Sequence, residues 1–535
     1  MSKFVFVTGG VVSGLGKGIT AASLGRLLKN RGLKVAVVKC DPYLNVDPGT
    51  MNPVQHGEVF VTDDGLETDL DLGHYERFIN EPLNRYSNIT SGRIYQKVLE
   101  KEREGSYLGS TVQIIPHVTD RIKAYLYKEA KVTGCDVLIT EIGGTIGDIE
   151  SQAFIEAIRQ INIEKRGQCC FIHVTLVPYL EFAKEHKTKP TQHSVRTLES
   201  LGIHPDIIVA RADKPLGKKI LDKIALFCNV EKDAVIENMT LSSLYECPVY
   251  LHERGLDNVV CRTLGLDLPE PDLTKWNAFL EDGKARKGTV TIALVGKYVS
   301  LEDAYISVVE SFNHASFIEH VFVKIKWVDS EKITSETAPT YFKDVDGVIV
   351  PGGFGDRGIE GMIETARYCR ETGLPYFGIC LGMQIATIEF ARNVLGYKDA
   401  HSAEFNPSSK HKVIDLMEEQ KNIETKGGTM RLGSYPCRIK KDSIMYTAYG
   451  TDLIHERHRH RYEYNSAYRE EFEKHGLIVT GHLDKGTIVE TVEIPTHPFY
   501  IGVQFHPEFK SRPNKPQPIF VELVKAAKKR KGLLD

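Results

Sequence analysis

The tightest constraint on the fold is a pattern that occurs twice, a short apolar strand that turns through glycine directly into a helix. Phe4-Val5-Phe6-Val7 is apolar throughout. A glycine-rich turn follows, Thr8-Gly9-Gly10-Val11-Val12-Ser13-Gly14-Leu15-Gly16-Lys17-Gly18-Ile19-Thr20, and then Ala22, Leu24, Leu27 and Leu28 recur at helical spacing. The run Leu374 to Ile379 is again apolar, and Cys380 and Gly382 lead from it into helical spacing at Met383, Ile385, Ala386, Ile388 and Phe390. Further apolar runs near residues 34–39, 136–140, 170–176 and 207–210 alternate with helical stretches, and runs near 289–295 and 347–350 repeat the design downstream. Such alternation predicts parallel sheets wrapped by helices, an α/β protein with two doubly wound domains. A length of 535 residues exceeds what one core holds. Leu266-Asp267-Leu268-Pro269-Glu270-Pro271-Asp272 breaks regular structure and residues 282–288 are polar. The expected division is therefore 1–267, a linker at 268–288, and 289–535.

Three segments of the second half suggest chemistry. They are Pro351-Gly352-Gly353-Phe354-Gly355, the stretch from Phe377 to Gln384 around Cys380, and Phe505-His506-Pro507-Glu508. Cys380 falls at a strand-to-helix elbow, where a helix N-terminus favours the thiolate and Gly378 and Gly382 are expected to keep side chains away from the sulfur. His506 and Glu508 are two apart, so in an extended segment both project to one side and the carboxylate can orient the imidazole. The glycine pair and the amide of Leu381 offer N–H groups to an oxyanion. Alone, a buried Cys is more often inert core and a glycine pair more often a turn; together the three segments describe a cysteine amide hydrolase.

The N-terminal turn reads as a phosphate loop. Its N–H groups at a helix N-terminus form an anion nest, and Lys17 can reach β- and γ-phosphates. It departs from the usual G-x-x-x-x-G-K-[ST] pattern, with Val11 at the first glycine and Gly18 after the lysine, and Val12 stands where partition ATPases carry their signature lysine. Asp71, in the acidic stretch 67–75, and Glu141, at the end of the apolar run Val137-Leu138-Ile139-Thr140, are carboxylates suited to Mg²⁺ at the carboxyl ends of strands.

The C-terminal segments resemble the class I glutamine amidotransferases over about the last 245 residues. That resemblance implies hydrolysis of glutamine through a thioester on Cys380, with His506 as base and Glu508 as its orienter. It also assigns glutamine contacts to Gly353, Leu381, Gly382, Met383, Gln384, Glu404 and Arg461. Without it, the run Arg457-His458-Arg459-His460-Arg461 would read as a solvated or anion-binding face.

The blocks Val7 to Ser13, Lys39 to Met51, Gln55 to Val61, Glu141 to Thr145 and Lys187 to Ser194 resemble the amidoligase half of the CTP synthase family, so the likeness spans nearly the whole chain. The resemblance implies that ATP phosphorylates O4 of UTP and ammonia displaces the phosphate. It places ATP at Ser13, Gly14, Leu15, Gly16, Lys17, Gly18, Ile19, Lys39 and Asp71, and Mg²⁺ on Asp71 and Glu141. UTP, or product CTP in competition, is placed at Ser13, Gln113, Asp148, Ile149, Glu150, Lys187, Thr188, Lys189, Pro190, Thr191, Gln192 and Lys223. It further implies a protected passage for ammonia, GTP as activator, CTP as feedback inhibitor and a homotetramer. Cofactor-amidating synthetases share the loop-plus-amidotransferase plan and are set apart by UTP dependence. An assembly protein with a vestigial thiol site is disfavoured by the complete Cys380, His506 and Glu508 set.

A net charge of −3 gives no overall attraction to nucleic acid or membrane, so anionic partners must meet local basic sites. The ten cysteines are scattered and Cys169 adjoins Cys170, the pattern of reduced thiols in a cytoplasmic protein. The N-terminal residues contain no apolar stretch long enough for a signal or a membrane span, so a cytoplasmic enzyme is expected.

Overall fold

The computed structural model describes residues 2–416, 430–483 and 488–533. The chain divides into two compact units, Met1–Thr50 with Asp71–Leu280, and Met51–Leu70 with Glu281–Asp535.

The first unit is built on seven strands: β1 (Lys3–Gly9), β2 (Val35–Asp41), β3 (Asn88–Thr90), β4 (Val137–Ile142), β5 (Cys169–Leu176), β6 (Ile207–Ala212) and β7 (Val235–Met239). Their order is β7-β6-β5-β1-β4-β2-β3, and every pairing is parallel. Val5, Phe6 and Val7 of β1 are fully buried, as a strand covered on both faces requires. Helix α1 (Lys17–Asn30), α2 (Asp71–Ile79) and α3 (Lys189–Ser200) bring charged or polar residues to the carboxyl ends of these strands. Sequence periodicity misses β3 and β7, because β3 is three residues long and β7 carries Glu237 and Asn238 in its apolar run.

Part of the expected linker is folded. Helix α4 (Thr274–Lys284) buries Trp276, whose Nε1 donates to the carbonyl of Tyr245 at 2.7 Å and whose ring lies 5.7 Å from Phe78. The division into units falls within this helix, after Leu280. Residues 51–70, which precede the break by far in sequence, group with the second unit.

The larger sheet of the second unit has nine strands: β8 (Thr289–Gly296), β9 (Phe322–Asp329), β10 (Gly347–Val350), β11 (Tyr376–Ile379), β12 (Arg431–Ile439), β13 (Leu453–His460), β14 (Ile478–Leu483), β15 (Val489–Glu493) and β16 (Tyr500–Val503). The order is β9-β8-β10-β11-β16-β15-β14-β12-β13. Pairing is parallel from β9 to β16 and antiparallel beyond, so this sheet is mixed and does not simply repeat the first.

Helix α5 (Leu381–Asn393) starts immediately after Cys380, which has φ 51° and ψ −99°. That left-handed value is strained for a residue with a side chain and is characteristic of a nucleophile elbow. The glycines around the elbow serve close packing rather than clearance for the sulfur. A Cβ at Gly378 would lie 2.5 Å from the Gly382 backbone, and one at Gly382 would lie 2.1 Å from the Val350 carbonyl oxygen. Gly382→Ala is expected to destabilise the protein by about 1–3 kcal/mol. Gly217→Ala, with open space around the new methyl, should stay near zero because reduced unfolded-chain entropy offsets a weaker helix cap. Thermal unfolding of both variants against the parent separates the two cases.

Candidate active sites

In the first unit the loop after β1 runs across the start of α1. Val11 takes φ 81° and Gly16 φ 78°, both left-handed. The valine at the position where the usual loop has glycine therefore adopts a glycine-like backbone at the cost of strain. Lys17 is buried, its stem covers Gly9, and its Nζ donates to the Gly144 carbonyl at 3.0 Å. Burial lowers the Lys17 pKa, with Glu141 acting the other way. The glycine at 18 also has a physical reason. A Cβ there would stand 2.3 Å from Asp71 Oδ1 and 3.3 Å from Glu141 Oε2, so the Asp71 carboxylate occupies the space a hydroxyl side chain would need.

Asp71 and Glu141 converge on one cation. Lys39 Nζ binds Asp71 Oδ2 and donates to Glu141 Oε1 at 3.0 Å, and Tyr75 donates its hydroxyl to Glu141 Oε2. Two carboxylates beside an anion-binding loop form a hard-oxygen donor set that fits Mg²⁺ with phosphate oxygens.

Gly10 ties the loop to the elements holding most of the expected pyrimidine contacts. A Cβ there would lie 1.6 Å from Ser194 Oγ on α3 and 2.9 Å from Ile146 Cγ2. Beneath it a buried chain runs from Thr8 Oγ1 to His173 Nδ1 (2.8 Å) and from His173 Nε2 to Ser194 Oγ (2.8 Å). Burial and the nearby Lys17 push the His173 pKa down to about 3, so this ring is a neutral bridge. No sequence signal marks it, since a lone histidine in a strand has no characteristic spacing.

The expected nucleotide contacts fall into two groups. At the start of α3, Gln192 Nε2 donates to Thr188 Oγ1 at 3.0 Å while its buried Oε1 has no partner among the described atoms, and Thr191 donates to the Leu176 carbonyl at 3.1 Å. Lys187 pairs with Glu185, whose pKa is lowered by Lys187 and, more weakly, by Lys223; Lys189 is exposed and Pro190 stands in the first turn. In the second group, Ile149 and Glu150 line a cavity of about 660 Å³ with Leu44, Tyr95, Ile114 and Ile115. Asp148 Oδ2 accepts from the Thr145 N–H at 2.8 Å, Gln113 donates its N–H to His117, and Ser13 is exposed. A smaller cavity of about 110 Å³ adjoins the loop at Leu15, Gly16 and Ile19 and is closed by Arg211, Asn238 and Leu244. Sequence reading misses this wall because β7 and the turn after it carry no motif.

In the second unit, Cys380, His506 and Glu508 line one cavity of about 60 Å³ with Gly352, Gly353 and Phe354. His506 Nδ1 lies 2.7 Å from Glu508 Oε1, which leaves Nε2 for the sulfur side. Burial alone would lower the His506 pKa, yet the charges of Glu508 and Cys380 outweigh it and raise the value to about 10. This favours the imidazolium form of His506. A Cβ at Gly352 would come within 2.7 Å of His506 Cε1, so only glycine admits the ring. Gly353 lies against Leu381 and Lys297, and Lys297 Nζ donates to the carbonyls of Phe354 and Gly355, bracing the loop. Burial lowers the Lys297 pKa to about 8, opposed by Glu404.

Glu404 sits beside this loop, with Oε1 accepting from Gly355 N–H at 3.5 Å; burial raises its pKa against Lys297 and Arg461. The Met383 side chain is in the core and that of Gln384 donates internally, to the Tyr462 carbonyl at 2.9 Å. Leu381, Gly382 and Met383 therefore have first-turn N–H groups to offer a ligand, whereas the Gln384 N–H donates to the Cys380 carbonyl at 3.2 Å.

The basic run is not a solvated face. Arg457 is fully buried and donates to Asp63 at 2.6 Å, Arg459 donates to Glu67 at 2.7 Å, and His458 and His460 are buried beside Arg431 and Glu490. The acidic partners come from residues 51–70, which also supply Pro53, Glu58 and Val59 to the wall of the thiol cavity.

A phosphate loop with paired carboxylates on one α/β unit, and a thiol, imidazole and carboxylate on another, define a nucleotide-dependent ligase fused to a glutamine amidotransferase. Residues 3–266 match the family described as CTP synthase N-terminus, and residues 300–526 match glutamine amidotransferase class-I. A CTP synthase of Clostridium kluyveri is 59% identical over 535 residues, covering 100% of each chain. That of Clostridium acetobutylicum is 59% identical over 527 residues, 98% of each chain. The solved glutaminase domain of a Trypanosoma brucei CTPS with bound acivicin is 42% identical, covers 45% of this chain and 94% of that one, and has a TM-score of 0.43. The chain belongs to the CTP synthase family.

His506 carries a pH signature. A pKa raised from 6.5 to about 10 means that the stability contributed by its proton is fully present below 6.5 and is lost as pH rises towards 10. Across that window the unfolding midpoint of the parent should fall more steeply than that of Glu508→Gln, which lacks the countercharge. Parallel curves would show that Glu508 does not hold the proton.

Proposed function

We propose that this chain aminates UTP to CTP at the expense of ATP, with ammonia released from glutamine in the second unit. The observation that carries the reading is the pair of sites within one family member: a Cys380, His506 and Glu508 cavity, and a phosphate loop facing Asp71 and Glu141. In the second unit, Cys380 attacks the carboxamide carbon of glutamine, His506 delivers the proton that lets ammonia leave, and water then cleaves the thioester. Backbone N–H groups of Gly353 and Leu381 face the oxyanion, and Glu404 and Arg461 receive the amino and carboxylate ends of glutamine.

In the first unit, loop N–H groups and Lys17 hold the ATP phosphates, and the cavity beside Leu15 and Ile19 takes the base. Mg²⁺, bound with ATP by Asp71 and Glu141, supplies neutralisation of charge on the transferring phosphoryl group. Lys39 adds a second positive charge there. Phosphorylated O4 leaves as phosphate, which an oxyanion would not do readily, and ammonia takes its place. Ser13, Gln113, the 148–150 turn, residues 187–192 and Lys223 hold UTP or CTP, and the unpartnered Gln192 Oε1 supports a donor-bearing ligand at that point. GTP activation, CTP feedback and a homotetramer belong to the same reading. A cytoplasmic location is supported by free, buried cysteines at all ten positions; no described helix is long and apolar enough to cross a membrane.

The test is CTP formation from UTP, ATP and Mg²⁺ with glutamine or with ammonium salt. Product from both sources is expected, and hydrolysis of glutamine without product from either would favour a carboxylate-bearing acceptor. Cys380→Ala should lower glutamine-driven turnover at least about 10³-fold while ammonia-driven turnover persists; loss of both would sink the two-site scheme. Lys17→Ala should depress turnover from either source on the order of 10²-fold, and ammonia-driven product at the parent rate would place the phosphate site elsewhere.

A further inference from the structure

We propose that the side-chain amide of Gln504 donates a hydrogen bond to the sulfur of Cys380 and so favours the thiolate over the thiol. The inference rests on reading Cys380 as the nucleophile and gives that site a further working group. Gln504 directly follows β16, is fully buried, and places Nε2 3.6 Å from Cys380 Sγ.

A carboxamide can face the sulfur with either end. Its NH₂ group stabilises a thiolate, whereas its oxygen would oppose one. Neighbouring groups decide the matter. The Tyr462 carbonyl oxygen can only accept, so Gln384, 2.9 Å away, must present its NH₂ group there. The same NH₂ group also reaches Gln504 Oε1 at 3.4 Å. With its oxygen held by Gln384, Gln504 directs its nitrogen to the sulfur. Polarity is thus passed from one backbone carbonyl through two buried amides to the reacting atom.

The Arg459 carbonyl oxygen lies 3.9 Å from the sulfur, where it accepts the S–H proton and favours the neutral thiol. Gln504 provides the opposing donor, while His506 takes the proton. The same donor acts again late in the cycle. When water adds to the thioester and the C–S bond breaks, the electron pair remains on sulfur, and the Gln504 N–H stabilises the departing thiolate.

The test is alkylation of Cys380 by iodoacetamide in the full chain, without nucleotide or glutamine, read across pH from the mass of the Cys380 peptide. Gln504→Met keeps the length and removes the donor. It should slow alkylation at neutral pH about tenfold and move the profile to higher pH, with the unfolding midpoint little changed. Gln384→Met, which frees the Gln504 carboxamide to turn, should give a smaller shift in the same direction, and it decides the matter alone if Gln504→Met does not fold. Unchanged profiles in the variants overturn the proposal, as does an equal loss of reactivity at every pH, the mark of a packing defect. A parent in which Cys380 reacts no faster than an ordinary thiol overturns the nucleophile reading and the Gln504 assignment with it.

Discussion

Both sites depend on a helix that begins hard against the end of a parallel strand, which is possible only where side chains are missing. At the thiol elbow the Gly382 backbone packs against the Val350 carbonyl and against Gly378, and this contact sets the direction in which Cys380 leaves the strand. At the phosphate loop, Gly9 makes room for the stem of Lys17 and Gly18 for the carboxylate of Asp71. The helix N-terminus is brought to the reacting groups in both cases, so its unpaired N–H groups and partial positive charge act on an anion at short range.

Charge placed in such poorly solvated positions has to be matched. Lys39 is held between Asp71 and Glu141, and His506 between Glu508 and Cys380. His173, His458 and His460 are driven towards the neutral form by burial and nearby cations, His458 even with a Glu490 carboxylate oxygen 3.4 Å away. His506 keeps its proton beside Glu508, whereas the other buried histidines become hydrogen-bonding structure.

The stretch Met51–Leu70 has an unusual place in the chain. It groups with the second unit, lines the thiol cavity through Pro53, Glu58 and Val59, and engages Arg457 and Arg459 through Asp63 and Glu67. It then continues through the Leu70–Asp71 peptide bond into α2, whose first residue is Asp71, one of the two carboxylates proposed for Mg²⁺.

Apolar runs and glycine turns were enough to indicate most strands of the first sheet and the parallel part of the second, because both-face burial leaves a strong local signature. The segments around Cys380 and His506 marked a candidate site because each closely follows a strand, but Glu508 lies in a 3-10 turn, Pro507–Lys510, and not in the extended segment expected from its spacing to His506. Strands β12 to β15 were less legible, since an antiparallel edge mixes polar and apolar residues. The basic run at 457–461 was misleading because charge pattern alone does not reveal a buried acidic partner nearly four hundred residues earlier, such as Asp63 for Arg457. Sequence by itself determined the α/β class, the family and the two reactive segments, all properties carried by contiguous residues. Only the tertiary structure decided which charges are matched, why Gly18 must lack a side chain, that residues 51–70 join the second unit, and which way Gln504 faces, since each depends on groups that distant parts of the chain bring within a few ångströms.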